Sequence, residues 1–441
     1  MSESQPALLA SLSSVAESAK SSRTPEIKNR RVRRLAALIG LVAISGLGSL
    51  TNSGDKANAV PIGLKQSGGL EFVAVNENRA WAADLSSAEN VMARIAEDGF
   101  NMNRIFLPID PGAAYVNRQP ENPNNVDRTC NAEIAGLENG VQVMLATWGQ
   151  RKDNENYKAG EIGFFPDTAS AQQKFGDVIG SYIWNLYGPN GCVTEFLDHN
   201  PRYEQPTTMY VGILNELNSK KWMPYEPNEA ASRYVNLLAT VYDKLKLEAS
   251  KFDIDLQVVA GDLASNHNPL AFIQYMGEAI RESGNSGPIF DVWAQHTYGK
   301  TNNESPSVVH SEDFVGFADY PRLAAGLKKA FGKTPNIFYD EFGTETSIPN
   351  SKATEYKGAS PVSIPLISEE TQAQFYISAL KQSVCYHRVK MVGFFPLYDE
   401  YNLSRLQSGL KYYDGTSKSS EVPVSQAVKA ALSDELATCS N

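Results

Sequence analysis

The feature that most limits this chain is a repeated alternation of short apolar runs and amphipathic segments. Apolar runs fall at residues 70–76, 100–108, 141–149, 209–216, 255–262, 289–299, 336–343 and 389–400. Helix-like segments follow at 86–99, 128–140, 170–188, 229–250, 269–283, 320–332, 368–386 and 425–437. Several carry a Ser start or a Gly stop, the usual punctuation of helices. Strands alternating with helices form parallel βαβ units. Eight such units predict an α/β protein of the (β/α)8 TIM-barrel class. A doubly wound open sheet is the alternative, but no Gly-rich phosphate fingerprint follows the first run.

The N-terminal segment is of a different kind. Residues 1–34 are rich in Ser, Ala and Glu, hold no aromatic residue and read as disordered. Arg30, Arg31, Arg33 and Arg34 precede the apolar run 35–50, and "ANA" stands at 57–59. A basic segment, an apolar core and small residues resemble a secretory signal cleaved after Ala59. The paired arginines loosely resemble a twin-arginine signal, and an uncleaved membrane anchor is the other reading of the same run. We therefore expect residues 1–59 to be a disordered basic region plus signal or anchor, and 60–441 to be the barrel. Localisation is expected to be secreted or cell-envelope.

Charge supports that division. Residues 1–59 hold eight Lys/Arg and four Asp/Glu, a net +4, within a chain of net −10. The body is therefore strongly acidic, which argues against nucleic acid and anionic membrane surfaces. Four cysteines in an exported chain allow two disulfides in three pairings, of which Cys130–Cys192 and Cys385–Cys439 are favoured here. No pair has CxxC spacing, and the histidines form neither HxH nor HExxH, so no metal or cofactor is expected.

Barrel chemistry sits at the C-terminal ends of the strands. The residues expected there include Asn76, Arg104, Trp148, Asn215, Glu216, His296, Tyr298, Asp340, Glu341, Tyr398, Asp399 and Glu400. Glu216 and Glu341 close the fourth and seventh apolar runs. Two carboxyl groups facing each other at roughly 5 Å suit retaining glycoside hydrolysis. Burial and mutual repulsion are expected to raise the pKa of the acid member. Side chains alternate along a regular strand, so Asp340 and Glu341 are expected on opposite faces. Spacing alone does not choose between them.

"ILNELN" (213–218) with "FYDEFG" (338–343) resembles glycoside hydrolase clan A, the retaining (β/α)8 enzymes related to family 5 cellulases and mannanases. The resemblance implies Glu216 as acid/base and Glu341 as nucleophile. It implies that Asn215 bonds a sugar 2-hydroxyl, that Tyr298 of "HTY" (296–298) holds the nucleophile, and that Arg104 of "FNMNRIFLP" lies beside it. "SGLKYYDGTSKSSEV" (408–422) is similar to the C-terminal tail of these enzymes. Two departures stand out: "ATWGQ" lacks the His that follows strand three, and "FFPLYDE" lacks the Trp that ends strand eight. Trp148 or Tyr398 is then the expected sugar platform. The implied partner is an oligo- or polysaccharide, met by a monomer. The rival readings are a non-catalytic carbohydrate-binding barrel and, behind it, a metal-dependent barrel hydrolase.

Overall fold

A computed structural model describes residues 69–109, 123–149, 165–285, 287–311, 313–359, 364–433 and 435–436. They lie in one compact unit of the chain, residues 62–441. The expected signal or anchor and Cys439 lie outside the described residues. Eight parallel strands close into a barrel in sequence order: β1 (Phe72–Asn76), β2 (Met102–Ile109), β3 (Gln142–Gly149), β4 (Thr208–Gly212), β5 (Asp255–Leu263), β6 (Val292–His296), β7 (Asn336–Phe342) and β8 (Val389–Phe394). Helices alternate with them: α1 (Leu85–Glu97), α2 (Pro123–Asn139), α3 (Ala169–Tyr187), α4 (Cys192–His199), α5 (Pro227–Ser250), α6 (Pro269–Ser283), α7 (Tyr320–Phe331), α8 (Glu369–Ser383) and α9 (Glu421–Leu432). This is the expected (β/α)8 barrel, with α4 as an unexpected extra helix before β4. No helix among the described residues is long and apolar enough to cross a membrane.

Helices α1, α3 and α8 each start on a side-chain cap, whereas α2 starts at Pro123, five residues before its expected position. Asp84 accepts from the Ser87 amide ahead of α1, Thr168 from Ala171 ahead of α3, and Ser368 from Thr371 ahead of α8. Each side chain satisfies an amide that the first turn leaves without a partner. Cys130 on α2 and Cys192 on α4 form the expected disulfide, tying α4 to the barrel's outer layer. Cys385 is also disulfide-bonded.

The barrel interior is layered. Its apolar core takes residues from every strand, among them Phe72, Met102, Met144, Tyr210, Val259, Val292, Phe338 and Met391. Two residues further along β2, β6 and β7, or four, the same inward rows carry Arg104, His296 and Asp340, all fully buried. A charged layer thus rests on an apolar floor, toward the strand C-termini.

Regular pairing fails where the charged layer begins. Register shifts interrupt β5–β6 between Ala260 and Leu263, β6–β7 between Ala294 and His296, and β7–β8 between Tyr339 and Phe342. Gly261 sits at φ 104°, and a Cβ there would lie 2.4 Å from the Ala294 carbonyl oxygen. Only glycine makes this bend, which turns Asp262 into the barrel. Gly212 on β4 leaves the space that Asp262 fills: a Cβ there would stand 3.1 Å from Oδ2.

Candidate active site

Glu216 is not at the end of a strand. β4 stops at Gly212, three residues before Asn215, so the expected run to 216 was too long. Leu214 and Glu216 both take positive φ, 65° and 51°, and Asp262 does so at 44°. Such backbone costs about 1–3 kcal/mol per residue and persists only where neighbours enforce it. Here they do. The Leu214 amide donates to Thr147 Oγ1 at 3.1 Å, and the Glu216 amide donates to the Asp262 carbonyl at 2.8 Å. The strain turns Glu216 toward His296 and Trp222.

Glu341 reaches the same place by the irregularity in β7. Alternation was expected to send Asp340 and Glu341 to opposite faces. Instead both meet Arg104, whose Nε lies 3.2 Å from Asp340 Oδ2 and whose Nη1 donates to Glu341 Oε1 at 2.7 Å. The register shift beyond Tyr339 lets two consecutive side chains enter the barrel. Arg104 also donates to Asn76 Oδ1 at 2.9 Å, to Asp262 Oδ1 at 2.9 Å and to Asn215 Oδ1 at 3.4 Å. Burial works against its charge, but Asp340, Asp262 and Glu341 outweigh that and raise its pKa further.

His296 stands between the two glutamates. Its Nδ1 is 3.1 Å from Glu216 Oε1 and 3.5 Å from Glu341 Oε2. Those oxygens are therefore at most about 6.6 Å apart, and closer for any bend at Nδ1. The bound leaves room for the roughly 5–5.5 Å of retaining glycosidases and almost none for the wider inverting arrangement. Tyr298 Oη donates to Glu341 Oε2 at 3.1 Å, and Trp222 Nε1 donates to Glu216 Oε2 at 2.9 Å. Each glutamate thus has its own set of donors.

The upward pKa shift expected for Glu216 is reversed. Burial pushes the Glu216 carboxyl up, but the hydrogen bond and charge of His296, with the Trp222 bond, bring it below its usual value. Burial also lowers His296, yet Glu341, Asp340 and Glu216 overcome this and push it up to about 10. Both shifts favour an ionised Glu216 beside a protonated His296. Burial, then the charges of Glu341 and Glu216, hold the Tyr298 hydroxyl well above its normal range, so it stays a donor.

The structure brings Glu216, Glu341, Asn215, Arg104, His296 and Tyr298 together as expected. Trp148 is buried beside Trp222, their rings edge-on at 6.4 Å. Tyr398 does not join the carboxylates. Its ring lies under the Arg79 guanidinium at 4.3 Å, and its amide donates to Glu77. Asp399 is likewise turned away, in a fully buried pair with Lys418 at 2.7 Å. That pair gives the "DGTSK" tail a structural task. The aromatic that directly follows β8 is Phe395, edge-on to Phe106 at 6.1 Å, while Phe106 lies under Arg104 at 4.6 Å. Phe395 and Asp262 escaped the sequence reading, as neither belongs to a motif. Asp262, His296 and Asp340 come within 4.8 Å of one another. The Arg104 guanidinium lies against both carboxyl groups, so the positive charge that such a set attracts is already supplied.

The barrel and its rim can be set beside solved structures. A family 39 glycoside hydrolase from the gut symbiont Bacteroides cellulosilyticus WH2 superposes with a TM-score of 0.51 at 14% identity, covering 83% of this chain and 64% of that one. The GH39 enzyme from Xanthomonas axonopodis pv. citri gives 0.51 at 15%, covering 81% and 65%. The GH5_18 enzyme from Streptomyces cattleya, solved in complex with Manb1-4GlcNAc, gives 0.51 at 16%, covering 82% and 80%. The chain has the fold of the clan A glycoside hydrolases. It spans slightly less than two thirds of the two family 39 structures. No family model and no curated protein matches the sequence.

Proposed function

We propose that this protein is an exported, retaining glycoside hydrolase that cleaves a β-linked glycan. The reading rests above all on His296 Nδ1 lying within 3.5 Å of both Glu216 and Glu341, with separate donors on each glutamate. Glu341, held by Arg104 and Tyr298, attacks the anomeric carbon. The bond from that carbon to the leaving oxygen breaks, and the leaving oxygen takes a proton from Glu216. Glycan entry excludes water from Glu216 and favours its neutral form, so the proton moves from Nδ1 to Oε1 before transfer. A glycosyl ester on Glu341 results. Water then attacks the same carbon, Glu216 accepts the water's proton, and Glu341 departs as carboxylate. Asn215 is placed in the reading as the partner of the 2-hydroxyl, with Trp148 and Phe395 as apolar surfaces for the ring.

Export rests on the basic and apolar segments before residue 60 and agrees with the Cys130–Cys192 disulfide, which persists in oxidising compartments. The test is sugar release by the full chain from β-glucans, mannans, xylans and aryl β-glycosides, beside Glu341→Gln. The reading expects release from one class by the parent and none by the variant. A glycan that binds but is never cleaved would make the barrel a receptor instead.

A further inference from the structure

Beneath the two glutamates the barrel holds a second carboxyl pair that double displacement does not use. Asp262 and Asp340 are completely buried, on neighbouring sides of Arg104. Asp262 Oδ1 takes Arg104 Nη2 at 2.9 Å; Asp340 Oδ2 lies 3.2 Å from Arg104 Nε and 3.7 Å from His296 Nε2. Yet Asp262 Oδ2, both Asp340 oxygens and His296 Nε2 have no hydrogen-bond partner among the described residues. Buried polar atoms rarely stay so. Two carboxylates this close in a dry interior also repel too strongly for both to ionise. One proton held between Asp262 Oδ2 and an Asp340 oxygen gives two of these four atoms a partner and removes one of the two charges.

We propose that Asp262 and Asp340 are a positioning pair sharing a single proton, which presents one negative charge to Arg104 and His296 and so holds the guanidinium on Glu341 and the imidazolium on Glu216. The groups facing the pair fit this count. Arg104 and His296 are the cations, and Glu341 adds its own charge to Arg104. Tyr234 on α5 donates to the Ile213 carbonyl, and its hydroxyl accepts from the Gly261 amide, beside Asp262. Burial first, then the charge of Asp262, keeps the Asp340 carboxyl well above its usual range against the pull of Arg104 and His296. Asp340 is therefore the member that carries the proton. With two charges the floor would draw Arg104 away from Glu341. With none, His296 would lose the anion behind it and pass its proton to solvent at lower pH.

The proposal rests on the glycosidase reading for its effect on rate, not for the proton itself. It is tested with Asp262→Asn, Asp340→Asn and the double variant in the full chain, following kcat/KM against pH and infrared difference spectra at neutral pH. Either single variant keeps one carboxyl to carry the one charge. Each is expected to lose less than about tenfold in kcat/KM and to keep its alkaline limb. The double variant is expected to lose on the order of a thousandfold, with the alkaline limb moved to lower pH. Losses that simply multiply, with an unmoved limb, would overturn the proposal. Should the double variant fail to fold, the parent-minus-Asp340→Asn infrared spectrum decides. A protonated-carboxyl band lost on substitution supports the pair; a carboxylate band lost instead refutes it. If the parent cleaves no glycoside, the functional reading fails while the infrared result still judges the shared proton.

Discussion

Trp222 Nε1 donates to Glu216 Oε2 at 2.9 Å, six residues along a loop that leaves β4. This bond and the His296 contact fix the carboxyl from two directions. Trp222→Phe keeps an aromatic ring beside Trp148 and removes the donor. The expected result is a loss of roughly tenfold in kcat/KM, the order of one hydrogen bond to a charged group. Steady-state kinetics on an activated and an unactivated glycoside check it, and an unchanged rate on both would contradict it.

Under the proposed function, His296 should set the alkaline side of the pH profile. Its pKa is raised to about 10, so the Glu216–His296 couple keeps its proton until the pH approaches that value. The parent should therefore remain active well above neutrality. In His296→Asn the proton has only Glu216 to hold it, and the alkaline limb should fall toward the carboxylic range. The pH dependence of kcat/KM decides the matter.

Arg104→Lys should be far more damaging than its charge suggests. Lysine cannot reach Asn76, Asp262, Asp340 and Glu341 at once, as the planar guanidinium does. Leaving buried carboxyl groups without their cation costs about 3–5 kcal/mol. Chemical denaturation should register this loss, together with near-complete loss of sugar release.

Glu133 on α2 offers a prediction away from the site. It is buried, its one hydrogen bond among the described residues comes from Tyr187 at 3.5 Å, and burial pushes its pKa up to about 8. Between its unfolded value near 4.5 and about 8, the folded chain binds the extra proton. Stability contributed by this group is thus complete below pH 4.5 and is lost as the pH rises through 8. Glu133→Gln should flatten that decline, gaining up to a few kcal/mol at pH 9 relative to pH 4. Denaturation midpoints across that range are the measurement.

Cys130 and Cys192 are 62 residues apart in sequence. Closing a loop of that length stabilises by about 4 kcal/mol on the chain-entropy account. Replacing both by serine should lower unfolding stability by an amount of that order, without altering the barrel's circular dichroism.

The architecture was legible in the sequence because it rests on periodicity. Runs such as "VQVMLATWG" and the α5 segment declare their partners by hydrophobic pattern alone. Glu216, Asn215, His296, Tyr298, Glu341 and Arg104 were legible because short motifs mark them. What escaped depends on backbone irregularity, which leaves little trace in residue type. Asp340 and Glu341 enter the barrel together through a register shift in β7, where simple alternation separated them. Asp262 is aimed inward by the bend at Gly261, whose only sign was a glycine inside an otherwise regular run. Tyr398 was misplaced because β8 ends at Phe394, four residues earlier than its expected position at the rim implied. The helix α4 was missed because its eight residues carry little more than two turns of pattern.

The central claim is that Glu341 attacks carbon while Glu216 manages the proton. The most direct test is mass spectrometry of the full chain after incubation with 2-deoxy-2-fluoro β-glycosides of the gluco, manno, xylo and galacto series, each with an activated leaving group. The account predicts that one series adds a single glycosyl unit, and that peptide mapping finds it on Glu341. Turnover without any adduct, or an adduct on Asp340 or another residue, would contradict it.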